Sequence, residues 1–159
     1  MSVRMEREIA ILKDLVRTTC HSADTGAAAI QATTDPYWTM LLEQIREDHR
    51  LLLVDLVRCL LLRGTPVPEV RAVMTEVVGP VDPEVGFDLL RFDLEIAERK
   101  LELALRRVLA DTLVSQSTLE LLSLHYLRLQ PRLKELEELS RRPAPAYAGL
   151  PQAVSSSLH

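Results

Sequence analysis

Apolar residues recur at steps of three and four along four long segments of this 159-residue chain, and this spacing constrains the fold most strongly. Such steps place apolar side chains along one face of an α-helix. The composition agrees, because 30 residues are Leu, only 5 are Gly, and aromatic residues make up 4%. Leucine favours helices, whereas strands are enriched in β-branched and aromatic residues. The sequence therefore predicts an all-α protein.

Four helices are predicted, over about 3–33, 36–63, 83–110 and 113–141. Asp35 and Pro36 have the positions of an N-cap and a first helical residue for the second helix, and Gly64 follows its end. Pro131 lies inside the fourth helix, which it should kink or split. Residues 142–159 contain prolines and a serine run without apolar periodicity, so we expect an extended or disordered tail.

The lengths of the links predict how these helices are arranged. Short links join the first helix to the second and the third to the fourth, so each pair should fold back as a hairpin. A longer stretch, 64–83, joins the two hairpins and reaches roughly 48 Å, which allows but does not require a crossover along the bundle. We therefore expect one domain over 3–141, a four-helix bundle.

The pattern resembles a family of bacterial ferritin-like bundles over roughly residues 5–140. Three segments carry the likeness: Asp24-Thr25-Gly26 in a Leu-rich first helix, Leu61-Leu62-Arg63-Gly64-Thr65-Pro66 after the second, and Glu95-Ile96-Ala97-Glu98-Arg99 in the third. The resemblance implies a ferritin-like fold and admits an ancestral two-metal site.

A ferritin-type dinuclear centre needs a Glu-x-x-His turn on each of two helices. Three residues before His49 stands Arg46, and three residues before His125 stands Leu122. Both bridging glutamates are therefore missing, and we expect no intact di-iron centre.

A polar layer is nevertheless expected near the middle of the bundle. Counting along each hairpin places His49 level with Thr19 and Cys20, and His125 level with Glu98. We interpret the layer as a buried network in which Glu98 accepts a hydrogen bond from His125, while His49 bonds to a nearby polar side chain or a water. The alternative is a reduced mononuclear site for iron or zinc. Its ligands would be His49, Glu98, His125 and Cys20.

The second helix has more apolar residues than one stripe requires, and the third adds Leu89 and Phe92. One bundle core cannot bury a helix that is apolar nearly all round, so we expect a symmetric homodimer. The interface row predicted on the second helix consists of Leu53, Val57, Leu60 and Leu61. The leading hypothesis is a non-enzymatic bundle that acts by protein association without a cofactor. The alternative is a ferritin-like metal-binding or oxidoreductase protein.

Other classes of protein have less support in the sequence. The net charge is −4, and the basic residues alternate with Glu, so we expect no nucleic-acid partner. The densest apolar stretch, 51–62, is too short to span a bilayer, and charges interrupt the first thirty residues. We therefore expect a cytoplasmic protein without a membrane anchor. Neither a phosphate-binding glycine loop nor a nucleophile elbow is present.

Overall fold

A computed structural model describes residues 2–65 and 86–142. These residues form four α-helices, α1 (Val3–Ala32), α2 (Pro36–Leu62), α3 (Phe87–Leu109) and α4 (Gln116–Arg141). No strand occurs within these two ranges, so the predicted all-α four-helix class is confirmed. The predicted start of the third helix at 83, most of the 64–83 connection and nearly all of the 142–159 tail lie outside the described residues.

The ends of α1 and α2 follow from local capping and lie within one residue of the prediction. Ser2 Oγ accepts a hydrogen bond from the Met5 N–H at the start of α1. At the start of α2, Asp35 Oδ1 accepts from the Tyr37 N–H at 2.9 Å. Gly64 ends α2 with φ of 74°, a left-handed conformation that glycine adopts without steric cost.

The fourth helix differs from the prediction at two points. It begins at Gln116 instead of 113, because Asp111 Oδ1 accepts the Leu113 N–H at 2.9 Å and holds these residues in a turn. It also continues through Pro131 without splitting. Proline has no N–H, so the carbonyl four residues before it loses its helical hydrogen bond. Because Pro131 is exposed, this carbonyl lies on the hydrated side of the helix.

Each helix packs against two neighbours. Both α1 and α4 lie beside α2 and α3, which places α1 diagonal to α4 and α2 diagonal to α3. At one end of the bundle, Glu8 of α1 contacts Arg63 after α2 and Ser115 before α4. At the other end, the rings of Trp38 and Phe87 pack edge to face at 5.2 Å. Adjacent helices are therefore antiparallel, α2 and α3 run parallel, and α2 ends at the opposite end from the start of α3.

Two apolar clusters form the core. The larger cluster contains Leu12, Leu15, Val16, Leu52, Leu53, Leu56, Leu60, Leu101, Leu105, Val108, Val114, Leu122, Leu129 and Leu133. The smaller cluster contains Ala29, Trp38, Leu41, Leu42, Ile45, Leu94 and Leu136. Between them along their helices lie four buried polar residues, which we call the central polar layer: Thr19, Ser22, His49 and Glu98.

The Glu8 carboxylate joins three helices at the end of the larger cluster. Its Oε1 accepts hydrogen bonds from Arg63 Nη2 at 2.7 Å, from Ser115 Oγ at 2.8 Å and from Thr118 Oγ1. Arg63 in turn donates to the Cys59 carbonyl near the end of α2. The carboxylate thus supplies the negative charge favoured at the N-terminus of α4, where Ser115 makes no side-chain cap of its own.

The surroundings of Glu8 lower its pKa. Burial alone would raise the pKa of this carboxyl group. The hydrogen bonds from Thr118 and Ser115 and the positive charge of Arg63 outweigh burial and hold the pKa below its ordinary value of 4.5. Ionised Glu8 is therefore stabilised by folding.

Replacing Glu8 by Gln should lower the free energy of unfolding at neutral pH by about 1.5–3 kcal/mol, the usual worth of hydrogen bonds to a charged group. Because the folded-state pKa is lowered, this contribution is complete above the unfolded-state pKa and is lost as pH falls through the folded-state pKa. Urea unfolding followed by circular dichroism should show the difference at about pH 7 and a much smaller one at about pH 3. The control is Glu6→Gln, an exposed glutamate in the same turn. A difference that is equal at both pH values would contradict this role.

Candidate functional site

The central polar layer contains a buried contact between an imidazole and a carboxylate. His49 and Glu98 are only 3% and 1% exposed, and His49 Nε2 contacts Glu98 Oε1. The two atoms are in close contact without hydrogen-bond alignment. Among the described residues, neither nitrogen of His49 and neither carboxylate oxygen of Glu98 has a hydrogen-bond partner.

Such burial is costly. A buried polar group without a hydrogen bond costs about 1–3 kcal/mol, and a charged group costs more. Ser22 Oγ adds another buried polar atom without a partner among the described residues, whereas Thr19 donates to the Leu15 carbonyl of its own helix. Replacing a buried polar pair by well-packed apolar side chains is often neutral or stabilising, so we expect the layer to add no net stability to the bundle.

A second carboxylate–imidazole pair lies between α2 and α4. His125 Nε2 and Asp55 Oδ2 are 2.6 Å apart, and Asp55 retains partial exposure. Two turns earlier on α2, Asp48 Oδ2 accepts from Arg132 Nε at 2.8 Å. These contacts extend the polar groups from the buried pair towards the surface of the bundle.

A cavity of about 20 Å³ lies among these groups. Its lining combines the polar side chains of Asp48, His49, Glu98, His125, Arg128 and Arg132 with the apolar ones of Ile45, Leu52, Leu101, Leu105 and Leu129. A volume of this size accommodates about one water molecule. Organic substrates need pockets of hundreds of cubic ångströms, so the cavity as it stands excludes them.

The pairing within the layer differs from the prediction. Glu98 contacts His49 and not His125, which pairs with Asp55 instead. The turn before α4 is longer than predicted, and this shifts the height of α4 against α3. The two helices of this hairpin end at Leu109 and begin at Gln116, so Glu98 lies level with about residue 127 instead of His125.

Three of the four predicted metal ligands, His49, Glu98 and His125, line the same cavity, whereas Cys20 does not. Cys20 is half-buried and packs against the larger cluster, and His125 is turned to Asp55. In the two ranges that the structure describes, no group of three or more His, Cys, Asp or Glu side chains is placed to hold a metal ion. Asp55 was missed by sequence reasoning, although Asp48 and Asp55 lie seven residues apart on one face of α2, which is a detectable signal.

The interface row predicted on α2 is corrected by the burial of its members. Leu53 and Leu60 are fully buried in the larger cluster, and Val57 is half-buried against it. Only Leu61 is exposed. Because α2 packs on both α1 and α4, it buries a wider face than a single stripe. Leu53, Val57 and Leu60 thus belong to the intramolecular core, and Leu61 alone makes no continuous surface for a partner.

A different helix carries an exposed apolar row, which we call the α3 stripe. It consists of Leu89, Phe92, Ile96 and Leu103, which are between 39% and 55% exposed. Steps of three, four and seven residues place them on one face of α3, opposite buried Leu94, Glu98 and Leu105. Leu89 and Phe92 were recognised in the sequence as surplus apolar residues, whereas Ile96 and Leu103 were missed.

Comparison with known proteins gives no match to any protein family, to any curated protein or to any solved structure. None of the four described helices is long and apolar enough to cross a membrane. Function must therefore be argued from the residues themselves.

A double-mutant cycle tests the energetics of the central polar layer. His49→Leu and Glu98→Leu should each destabilise the bundle, by up to about 3–5 kcal/mol, because each leaves a buried polar group without its partner. The double variant should be at least as stable as the parent, since two apolar side chains then join the two clusters. Urea unfolding followed by circular dichroism measures all four proteins. A double variant as unstable as the sum of the single changes would refute this coupling.

Proposed function

We propose that this chain is a non-enzymatic four-helix bundle of ferritin-like topology, without an intact di-iron centre, that acts by association with further copies of itself. The observation that carries the proposal is the α3 stripe. Its four apolar side chains lie on the outer face of a bundle whose core is already filled by two apolar clusters. Exposed apolar side chains that share one helix face are typical of a surface that binds another protein.

The energy available from the α3 stripe is of the right order for association. Burying a Leu, Ile or Phe side chain fully contributes about 1.5–3 kcal/mol before the costs of association. These side chains are already partly covered, so each gains less than that range. Four of them on each copy support a reversible dimer, and two-fold dimers are the commonest homo-oligomers.

The ferritin-like part of the proposal rests on helix directions. Adjacent helices are antiparallel, whereas α2 and α3 run parallel. Two helical hairpins joined by one long crossover connection produce this arrangement, which is the topology of ferritin-like bundles. The path of residues 66–85, which would form the crossover, lies outside the described residues.

A ferritin-like metal-binding or oxidoreductase protein is the second candidate. The observation in its favour is that the pair His49–Glu98 and the imidazole of His125, which pairs with Asp55, line one cavity. The missing Glu-x-x-His turns favour association instead. Protein purified without chelator or affinity-tag metal should contain far less than one equivalent of iron or zinc. Stoichiometric metal that is lost in Glu98→Gln would favour the second candidate.

The α3 stripe is tested by introducing charge. The double change Phe92→Glu and Ile96→Glu should convert a dimer into a monomer with an unchanged helical spectrum, because these side chains are exposed in the single chain. Sedimentation velocity at concentrations on the order of tens of micromolar measures the effect.

The matched control carries Leu124→Glu and Leu127→Glu, which change two leucines on α4 that are more exposed than Phe92 and Ile96. This control should remain dimeric. A monomeric parent, or dissociation of the α4 variant alone, would refute the proposed surface.

A further inference from the structure

Three of the four side chains of the α3 stripe are arranged symmetrically about Ile96, and Phe92 is the exception. Leu89 and Leu103 lie seven residues before and after Ile96, which is about two helical turns in each direction. A row with this symmetry matches a reversed copy of itself, because the same spacing is read in both directions. We infer that a second copy docks with its α3 antiparallel to α3 of the first, across a two-fold axis beside Ile96. This inference rests on the proposed association.

This register covers the whole α3 stripe. Ile96 meets Ile96 of the second copy at the axis, and Leu89 meets Leu103 of the second copy at each end. Each apolar side chain at the ends therefore packs on another apolar side chain. A parallel pairing would also place each leucine beside a leucine of the second copy. Further copies can add to such a pairing unless a rotation relates the two chains and closes the dimer.

Charges beside the α3 stripe favour the antiparallel direction. Asp93 and Lys100 lie three residues before and four residues after Ile96, which places both on the same edge of the stripe. Neither makes a salt bridge among the described ion pairs of the chain. In the antiparallel register, Asp93 lies beside Lys100 of the second copy, about one residue rise apart. In a parallel two-fold pairing each edge of the stripe faces the opposite edge of the second copy, so Asp93 lies beside Phe92 and Lys100 beside Arg99, and no opposite charges meet.

The opposite edge of the α3 stripe is also complementary in this register. Phe92 and Arg99 share that edge, and Phe92 lies beside Arg99 of the second copy. Arg99 is held in the single chain by Glu95 and Glu137. A guanidinium fixed in this way can stack on an aromatic face, a contact that adds to the apolar burial.

Cysteine cross-linking tests the register. Ile96→Cys should form a disulfide-linked dimer under mild oxidation, because its two copies meet at the axis. Leu89→Cys and Leu103→Cys should each fail to cross-link alone, since identical residues would lie roughly 21 Å apart along the axis. An equal mixture of these two variants should cross-link. The parent, which contains Cys20 and Cys59, gives the background, and Leu124→Cys is the control on α4.

The outcomes separate this inference from the proposed function. A parallel dimer would cross-link through Leu89→Cys alone and Leu103→Cys alone, which overturns the register while self-association stands. A dimer in which none of the α3 cysteines cross-links also overturns the register. A parent that sediments as a monomer refutes the proposed function and this inference with it.

Charge reversal provides a second test that leaves the core untouched. Asp93→Lys should weaken the dimer roughly tenfold, because two repulsive pairs replace two attractive ones, and added salt should reduce the effect. Adding Lys100→Asp should restore affinity. A double variant as weak as the single variant would overturn the predicted pairing.

Discussion

The buried contact between His49 and Glu98 constrains the rest of the bundle. It lies where the two apolar clusters meet, and each partner is flanked along its helix by leucine or isoleucine. Sliding α2 or α3 by one turn would move a charged group into an apolar cluster and leave its partner unpaired, at a cost of several kcal/mol. The pair therefore fixes the relative height of two diagonal helices, and the adjacent helices pack around them.

The position of the α3 stripe follows from the same buried contact between His49 and Glu98. Glu98 lies on the face of α3 opposite Ile96, so the turn that buries the carboxylate also exposes the centre of the α3 stripe. At the end of the larger cluster, Glu8 ties α1 to the end of α2 and the start of α4.

Local sequence signals predicted the helices well, and long-range geometry limited the rest. Asp35 and Gly64 mark the ends of α2 because capping depends on neighbouring residues alone. Burial of His49 and His125 was predicted because both lie on apolar stripes, and Glu98 was placed in the same layer because it was counted level with His125. The pairing of these three side chains was not predicted, because it depends on how one hairpin packs on the other and on the length of the turn before α4. Leu53 and Leu60 were assigned to a surface because periodicity cannot show that α2 has two neighbours.

The central claim is that the outer face of α3 is the surface at which copies of this chain meet. Nuclear magnetic resonance of methyl and amide groups over a dilution series tests it most directly, because it locates the surface in the unmodified protein. Concentration-dependent shifts should cluster at Leu89, Phe92, Ile96 and Leu103, while those of Leu124 and Leu127 stay constant. Spectra that do not change on dilution while sedimentation reports a monomer throughout, or shifts confined to α4, would contradict it.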